Sequence, residues 1–112
     1  MMVLNKGDIV IVNLYPKKED EVGKVRPAVI LSGDDENSIL DTVNLMPLST
    51  DLIENMEPYR LKIPARENLK KDSDILINQI RTLSKTRIKE KIAKLTDDEY
   101  MKVVENLCKN FR

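Results

Sequence analysis

Short apolar runs separated by polar stretches predict a series of β-strands along most of the chain. These runs are rich in β-branched residues and end at proline, glycine or clusters of polar residues, which is typical of strands. Proline cannot donate a hydrogen bond to a sheet, so we expect Pro47 to lie at an edge or a bulge. The predicted strands are DIVIVNL, AVIL, TVNLMPL, YRLKI, DILINQI and the shorter EKIAKL. Between them, KKEDEVGK and SGDDENS are predicted to be loops.

The C-terminal segment carries a helical pattern. Thr96 and Glu99 fit a capping box, in which each side chain accepts a hydrogen bond from the backbone of the other residue. Apolar residues then follow at helical spacing on one face, namely Tyr100, Val103, Val104, Leu107, Cys108 and Phe111. We expect Cys108 to be a small core residue on this face rather than a nucleophile. A shorter helical turn is predicted at SKTR, starting on Ser84.

Together these elements predict a mainly β fold with a C-terminal α-helix. Five or six short strands with one terminal helix are typical of a small barrel capped by that helix. A chain of 112 residues builds one modest core, so we expect a single domain over residues 1–112.

Composition narrows the function classes. No apolar run approaches the length of a membrane span, and MMVLNKGD lacks the apolar stretch of a signal peptide, so we expect a cytoplasmic protein. The formal net charge is zero, which argues against non-specific coating of nucleic acid. Residues 60 to 94 nevertheless carry 11 Lys/Arg against 4 Asp/Glu, and this basic third permits either a local phosphate-binding face or a solvated surface.

The chain contains no histidine, so a serine–histidine triad is excluded. A single cysteine excludes a cysteine-rich metal site, and the acidic stretches lack the spacing of a calcium loop. The three glycines form no phosphate-binding loop of the GxxxxGK[ST] or GxGxxG type. Metal-independent chemistry without a cofactor, or binding alone, is what these residues allow.

Three short segments hold the candidate functional residues. In KVRP, Pro27 favours an extended backbone at Arg26, which is either an ordinary surface arginine or a phosphate ligand. In PLSTD, adjacent hydroxyls end a strand, and turn capping explains them equally well. In NQIRT, Gln79 and Arg81 alternate with an isoleucine and are expected to share a face, with Arg81 in a structural hydrogen-bond network.

Taken together and in order, GDIVIVNLYP, GKVRPAVILS, MPLSTD and INQIRTLSKTRI resemble the MazF/PemK (Kid) family of bacterial toxins, and the likeness is closest to the MazF endoribonucleases of Gram-positive bacteria. The resemblance runs from Gly7 to about Leu107. It implies a small SH3-like or CcdB-like barrel, a homodimer, and metal-independent cleavage of single-stranded RNA at short sequences. It also implies a MazE-like antitoxin peptide that blocks the RNA groove.

Position by position, the resemblance assigns catalytic roles to two residues. Arg26 matches the family's catalytic arginine in the RP motif, and Ser49 matches the position usually held by a catalytic threonine. Thr50 leaves this second assignment ambiguous by one residue. Glu21 matches an acidic residue of the loop before the RP motif. It is either the one candidate base that the match offers or a solvated loop carboxylate.

Further residues are expected to contact RNA. Gln79 matches the glutamine of the family's QIRT signature, and Asn78 replaces an acidic residue common in relatives, which alters the groups available for base recognition. Tyr15 is the best candidate for stacking on a base, and Lys24 adds a positive charge beside the RP motif.

The resemblance implies attack of the RNA's own 2′-hydroxyl on the adjacent phosphate, leaving a 2′,3′-cyclic phosphate and a 5′-hydroxyl. A guanidinium stays protonated at neutral pH, so the arginine suits charge stabilisation and not the role of base. Two alternatives stay open: a CcdB-like protein that poisons a topoisomerase by binding, and a member that binds without catalysis. The first usually ends in a Trp-Gly-Ile sequence, which this chain lacks.

Overall fold

The computed structural model describes residues 2–14 and 25–111. These residues form seven strands, two α-helices and two short 3₁₀ turns. The strands are β1 (Asp8–Asn13), β2 (Val25–Ile30), β3 (Thr42–Ser49), β4 (Arg60–Ile63), β5 (Ser73–Leu76), β6 (Arg81–Ser84) and β7 (Ile88–Lys94). The helices are α1 (Asp34–Ile39) and α2 (Asp97–Lys109), and the 3₁₀ turns are Ile77–Gln79 and Lys85–Arg87. The mainly β architecture with a C-terminal helix confirms the prediction, and no helix in this part of the chain has the length and apolar character needed to cross a bilayer.

All described strands join in one antiparallel sheet in the order β4-β5-β3-β2-β1-β7, with β6 pairing to β3. The long strand β3 changes partner on its outer side, from β6 along residues 42–45 to β5 at residues 48–49. Pro47 lies in the break between these two partners and pairs with Ala28 on the inner side. The strand therefore continues past Pro47 to Ser49, and the proline lies where no described strand pairs with it on the outer side.

The central strands are apolar at nearly every position because both faces of the sheet are covered. Alternate residues of β1, β2 and β3 enter two separate hydrophobic clusters. The first cluster includes Ile9, Val29, Met46 and Leu48, together with residues of β4, β5 and α2. The second includes Val10, Val12, Ala28, Ile30 and Leu45. The apolar runs DIVIV and AVIL are continuous because both faces of these strands are buried.

The prediction of a loop at SGDDENS is wrong for most of that segment, because Asp34–Ile39 forms α1. Asn37 of this helix is buried, and its side-chain amide donates to the carbonyls of Leu4 (3.1 Å) and Ser32 (2.9 Å). Aspartate, asparagine and serine favour turns locally. Here the buried hydrogen bonds of Asn37 hold these residues in a short helix. Local propensity does not predict this, because one partner, Leu4, lies outside the segment.

The segment DILINQI is only partly a strand. β5 ends at Leu76, and the 3₁₀ turn Ile77–Gln79 separates it from β6, which was not predicted. The turn at SKTR is confirmed, with the Ser84 hydroxyl accepting a hydrogen bond from the Thr86 amide at 3.3 Å. The loop predicted at KKEDEVGK lies outside the described residues.

Helix α2 begins as predicted. The Thr96 hydroxyl accepts from the Glu99 amide (3.1 Å), and the Glu99 carboxylate accepts from the Thr96 amide (2.9 Å). Val103 is fully buried against the first cluster, and Tyr100 and Leu107 pack beside it. The placement of Cys108 in the core is wrong, since its side chain is exposed. Val103, Asn106 and Leu107 face the interior in this part of α2, and Cys108 lies beside that buried stripe and not on it.

Glu99 also anchors the helix to the sheet region. Both guanidinium Nη atoms of Arg66 donate to its carboxylate, one of them at 2.6 Å. These hydrogen bonds hold the pKa of Glu99 below its usual range, and the same contact raises the pKa of Arg66. A carboxyl group whose pKa falls on folding stabilises the fold above its unfolded pKa, and that stabilisation is lost as the pH drops through the folded pKa.

Glu99→Gln is therefore expected to lower the free energy of unfolding by about 1–2 kcal/mol at pH 7, because the amide keeps the cap but loses the ionic contact. The difference from the unmodified protein should shrink as the pH drops through the lowered folded pKa of Glu99, because below that pKa both chains are neutral at this position. Urea denaturation at pH 7 and at a series of pH values below about 4 measures this difference. Asp98→Asn, an exposed change in the same helical turn, is the control, and an equal pH dependence in that variant would contradict the assignment.

Candidate active site

Arg26 and Ser49 lie at the same end of neighbouring strands. In the β2–β3 pair, Ala28 is opposite Pro47. Arg26 precedes Ala28 by two residues and Ser49 follows Pro47 by two, so the antiparallel register brings both towards one end. The Arg26 Nη1 donates to the carbonyl of Leu48 at 3.4 Å, the carbonyl of the peptide bond that leads into Ser49. This bond is long for an N–H···O contact and correspondingly weak.

The strand alternation also puts the two side chains on one face of the sheet. Arg26 is paired with Val12 of β1, and Val12 and Ala28 belong to the second cluster. Pro47 is opposite Ala28, so Ser49, two residues on, faces the same way. A guanidinium and a hydroxyl on one face, with the arginine half-buried, form a donor pair suited to the oxygens of a phosphate.

Thr50 lies differently. It is exposed and lines a cleft of about 280 Å³ together with Pro27 and Leu48, on the side of the first cluster. Lys70 and Lys71 line the same cleft. These lysines belong to the basic stretch seen in the sequence, but the structure brings them to Thr50 and not to Arg26. The register therefore favours Ser49 as the partner of Arg26.

The Ser49 hydroxyl accepts a hydrogen bond from the Asp51 amide at 3.1 Å. This contact uses a lone pair of the oxygen and leaves the hydroxyl hydrogen to donate elsewhere. A serine held in this way is fixed in orientation, and its hydrogen is oriented by whichever acceptor approaches it.

The NQIRT segment does not form the continuous strand that was predicted. Asn78 is exposed and Gln79 is half-buried in the 3₁₀ turn that follows β5, beside the middle of β3. The turn breaks the alternation that was expected to place Gln79 and Arg81 on one face. Arg81 is opposite Leu45, and its Nε and Nη2 are buried without a hydrogen-bond partner among the described residues. At these two nitrogens, residues 2–14 and 25–111 do not supply the structural network expected for Arg81.

Three predicted site residues, Tyr15, Glu21 and Lys24, lie outside the described residues. Within residues 2–14 and 25–111, no group of three or more Asp, Glu or Cys side chains is arranged to hold a metal ion. The residue that sequence reasoning missed is Asp74. It lies directly opposite Ser49 in the β3–β5 pair, and its carboxylate is buried. A charged residue within an otherwise buried strand is the signal that could have revealed it.

Comparison with known proteins identifies the family of the chain. Residues 5–111 match the family model described as the PemK-like, MazF-like toxin of type II toxin–antitoxin systems. The chain belongs to this family. An Endoribonuclease MazF of Staphylococcus saprophyticus is 36% identical over 105 residues, which cover 93% of this chain and 87% of that protein.

Solved structures confirm the barrel fold of the MazF/PemK family. MazF from Deinococcus radiodurans superposes with a TM-score of 0.85 at 23% identity, covering 99% of this chain and 98% of the other. A chain from a MazE-MazF crystal structure of the same organism gives a TM-score of 0.79 at 22% identity, covering 99% and 97%. At these identities the structural likeness speaks for the fold, and the sequence match above identifies the family.

Proposed function

We propose that this MazF-like toxin is a metal-independent, sequence-specific endoribonuclease that cleaves single-stranded RNA. The observation that carries the proposal is the common face of Arg26 and Ser49 at one end of the β2–β3 pair. The relative from Staphylococcus saprophyticus is named an endoribonuclease, and its similarity extends over nearly the whole chain.

In the proposed reaction, the 2′-oxygen of the RNA forms a bond to the adjacent phosphorus while the bond from phosphorus to the 5′-oxygen breaks. The 2′-hydroxyl gives up a proton, and the leaving 5′-oxygen takes one. The products are a 2′,3′-cyclic phosphate and a 5′-hydroxyl. Negative charge grows on the phosphate oxygens during this step, so preorganised donors lower the barrier.

Arg26 is the main donor in this proposal, because its planar fork places two N–H groups against two oxygens of one phosphate. Its contact with the Leu48 carbonyl is weak enough to be exchanged for a phosphate oxygen. Ser49 donates a further hydrogen bond. Arg26 also supplies a proton near the leaving oxygen, and Glu21 is the candidate for accepting the proton of the 2′-hydroxyl.

The remaining assignments follow from the same proposal. Asn78, Gln79, Tyr15 and Lys24 contact the bases or the backbone of the bound RNA. The chain acts as a homodimer of single domains spanning residues 1–112 in the cytoplasm. A MazE-like antitoxin peptide occupies the RNA groove and blocks cleavage, in line with the MazE-MazF structure of the Deinococcus relative.

Incubation of the purified protein with a long unstructured RNA in the presence of EDTA tests the proposal. We expect cuts at a short recurrent sequence, with 2′,3′-cyclic phosphate and 5′-hydroxyl ends, and no cuts in a DNA of the same sequence. DNA lacks the attacking 2′-hydroxyl. The end chemistry is read by phosphatase and kinase treatment before sequencing.

Three results would each overturn part of the proposal. Intact RNA together with inhibition of a type II topoisomerase would assign the chain to the CcdB-like alternative. Intact RNA that is nevertheless bound tightly would identify a binding protein without catalysis. Loss of cleavage on adding EDTA, restored by a divalent cation, would reject the metal-independent mechanism.

A further inference from the structure

The segment that follows Ser49 is exposed to solvent, yet a buried charge pair holds it in place. The Asp74 side chain is 3% exposed and that of Arg60 is 20% exposed. The Asp74 Oδ2 accepts from Arg60 Nη1 at 3.1 Å and from the Ile53 amide at 3.0 Å. The same Nη1 donates to the Asp51 carbonyl at 2.9 Å. The pair thus binds two backbone groups of residues 51–53.

These contacts connect directly to the proposed catalytic hydroxyl. The carbonyl of Asp51 is held by Arg60, while the amide of the same residue donates to Ser49 Oγ at 3.1 Å. Both backbone groups of Asp51 are therefore fixed, one by the charge pair and one by the serine. Asp74 is also paired with Ser49 across β3 and β5, which puts its carboxylate on the same face as Ser49.

A buried carboxylate lowers stability unless it is paired and hydrogen-bonded, so its presence needs a reason. An apolar side chain would fill this buried position without that cost. What the carboxylate adds, and an apolar side chain cannot, is a fixed acceptor for the Ile53 amide and for Arg60.

We propose that Asp74 is a positioning residue, which acts through Arg60 and the Asp51 peptide to set the orientation of the Ser49 hydroxyl. This inference rests on the proposed ribonuclease function. Neither Asp74 nor Arg60 touches the phosphate in this scheme. They fix the segment that holds the hydroxyl in line with it, and small errors in such placement are costly to catalysis.

The test uses Asp74→Asn, Arg60→Gln and the double variant, assayed with a fluorescently labelled single-stranded RNA that the unmodified protein cleaves. Each single variant is expected to lower kcat by about fivefold or more, with KM changed less than about twofold, because positioning acts on the transition state and not on RNA binding. The kcat of the double variant should equal that of the less active single variant, since both substitutions break one connected set of hydrogen bonds.

Lys62→Gln is the matched control. Lys62 is opposite Asp74 in the β4–β5 pair and lines a cleft together with Asp74 and Arg60, but it is exposed. Its substitution removes a charge at that place without breaking the contacts to residues 51–53, so kcat should not change. Arg60→Gln, at a less buried position, carries the test if Asp74→Asn does not fold.

The outcomes distinguish failure of the positioning role of Asp74 from failure of the proposed ribonuclease function. A kcat equal to that of the unmodified protein in folded Asp74→Asn and Arg60→Gln, even with a lower melting temperature, would overturn the positioning role and leave the ribonuclease proposal intact. Absence of cleavage by the unmodified protein would overturn the proposed function and this inference with it.

Discussion

Arg26→Lys is expected to reduce the cleavage rate of RNA by at least about tenfold, equivalent to a loss of about 1.4 kcal/mol of transition-state stabilisation. Lysine keeps the positive charge at the end of β2 but presents a single ammonium in place of a planar fork. It cannot place two parallel hydrogen bonds against one phosphate. The measurement is single-turnover cleavage of a short RNA that contains one cut site, with protein in excess.

Arg66→Lys is the control for this experiment. Arg66 also donates through its guanidinium to two oxygens, those of the Glu99 carboxylate. This contact is made at the first turn of α2, and neither residue belongs to β2 or β3. We expect its replacement to lower the melting temperature and to leave the cleavage rate unchanged. A cleavage rate near that of the unmodified protein in Arg26→Lys would show that the fork has no part in catalysis.

The second large effect concerns the two adjacent hydroxyls. Ser49→Ala is expected to lower kcat by about 100-fold, at the lower end of the range seen when one preorganised donor is removed from a charged transition state. Thr50→Val removes the neighbouring hydroxyl with little change of shape and should cost less than about threefold. The comparison uses kcat and KM for the same labelled RNA.

Ser49→Ala also removes the acceptor of the Asp51 amide, so a loss of activity needs a second variant to interpret it. Ser49→Thr keeps a hydroxyl that can accept from the Asp51 amide and donate to the phosphate. Its kcat should lie within about threefold of that of the unmodified protein. The reverse pattern, with Thr50→Val inactive and Ser49→Ala active, would move the catalytic hydroxyl to the cleft lined by Lys70 and Lys71.

Patterns that depend on neighbouring residues were predicted correctly from the sequence. The capping box at Thr96 is complete within four residues. Strand β1 can be recognised from its own run of β-branched residues, although its hydrogen bonds come from β2 and β7. The failures have distant causes. Asn37 is held in a helix by its bonds to the carbonyls of Leu4 and Ser32. Cys108 is exposed because α2 packs on the core through Val103 and Leu107, and that packing turns Cys108 towards solvent.

In the candidate site too, residues in local motifs were found from the sequence, and a residue that depends on distant contacts was not. Arg26 and Ser49 were identified from motifs, through a family resemblance that the family match confirms, and their roles stay predictions. The contribution of Asp74 could not be found in this way. Its importance depends on the pairing of β5 with the end of β3, and on two backbone groups that carry no signature in the sequence.

Burial on both faces has a further consequence for strands β1 to β3. In a sheet with one wet face, a slip of one residue would expose every apolar side chain, and hydrophobicity alone would forbid it. Here a slipped strand would exchange one apolar cluster for the other. Other features must therefore help to specify the alignment, among them the buried Asp8, whose carboxylate binds Lys91 of β7 at 3.1 Å. The placement of Arg26 and Ser49 on one face depends on that alignment. Residues remote from the candidate site therefore affect whether the site forms.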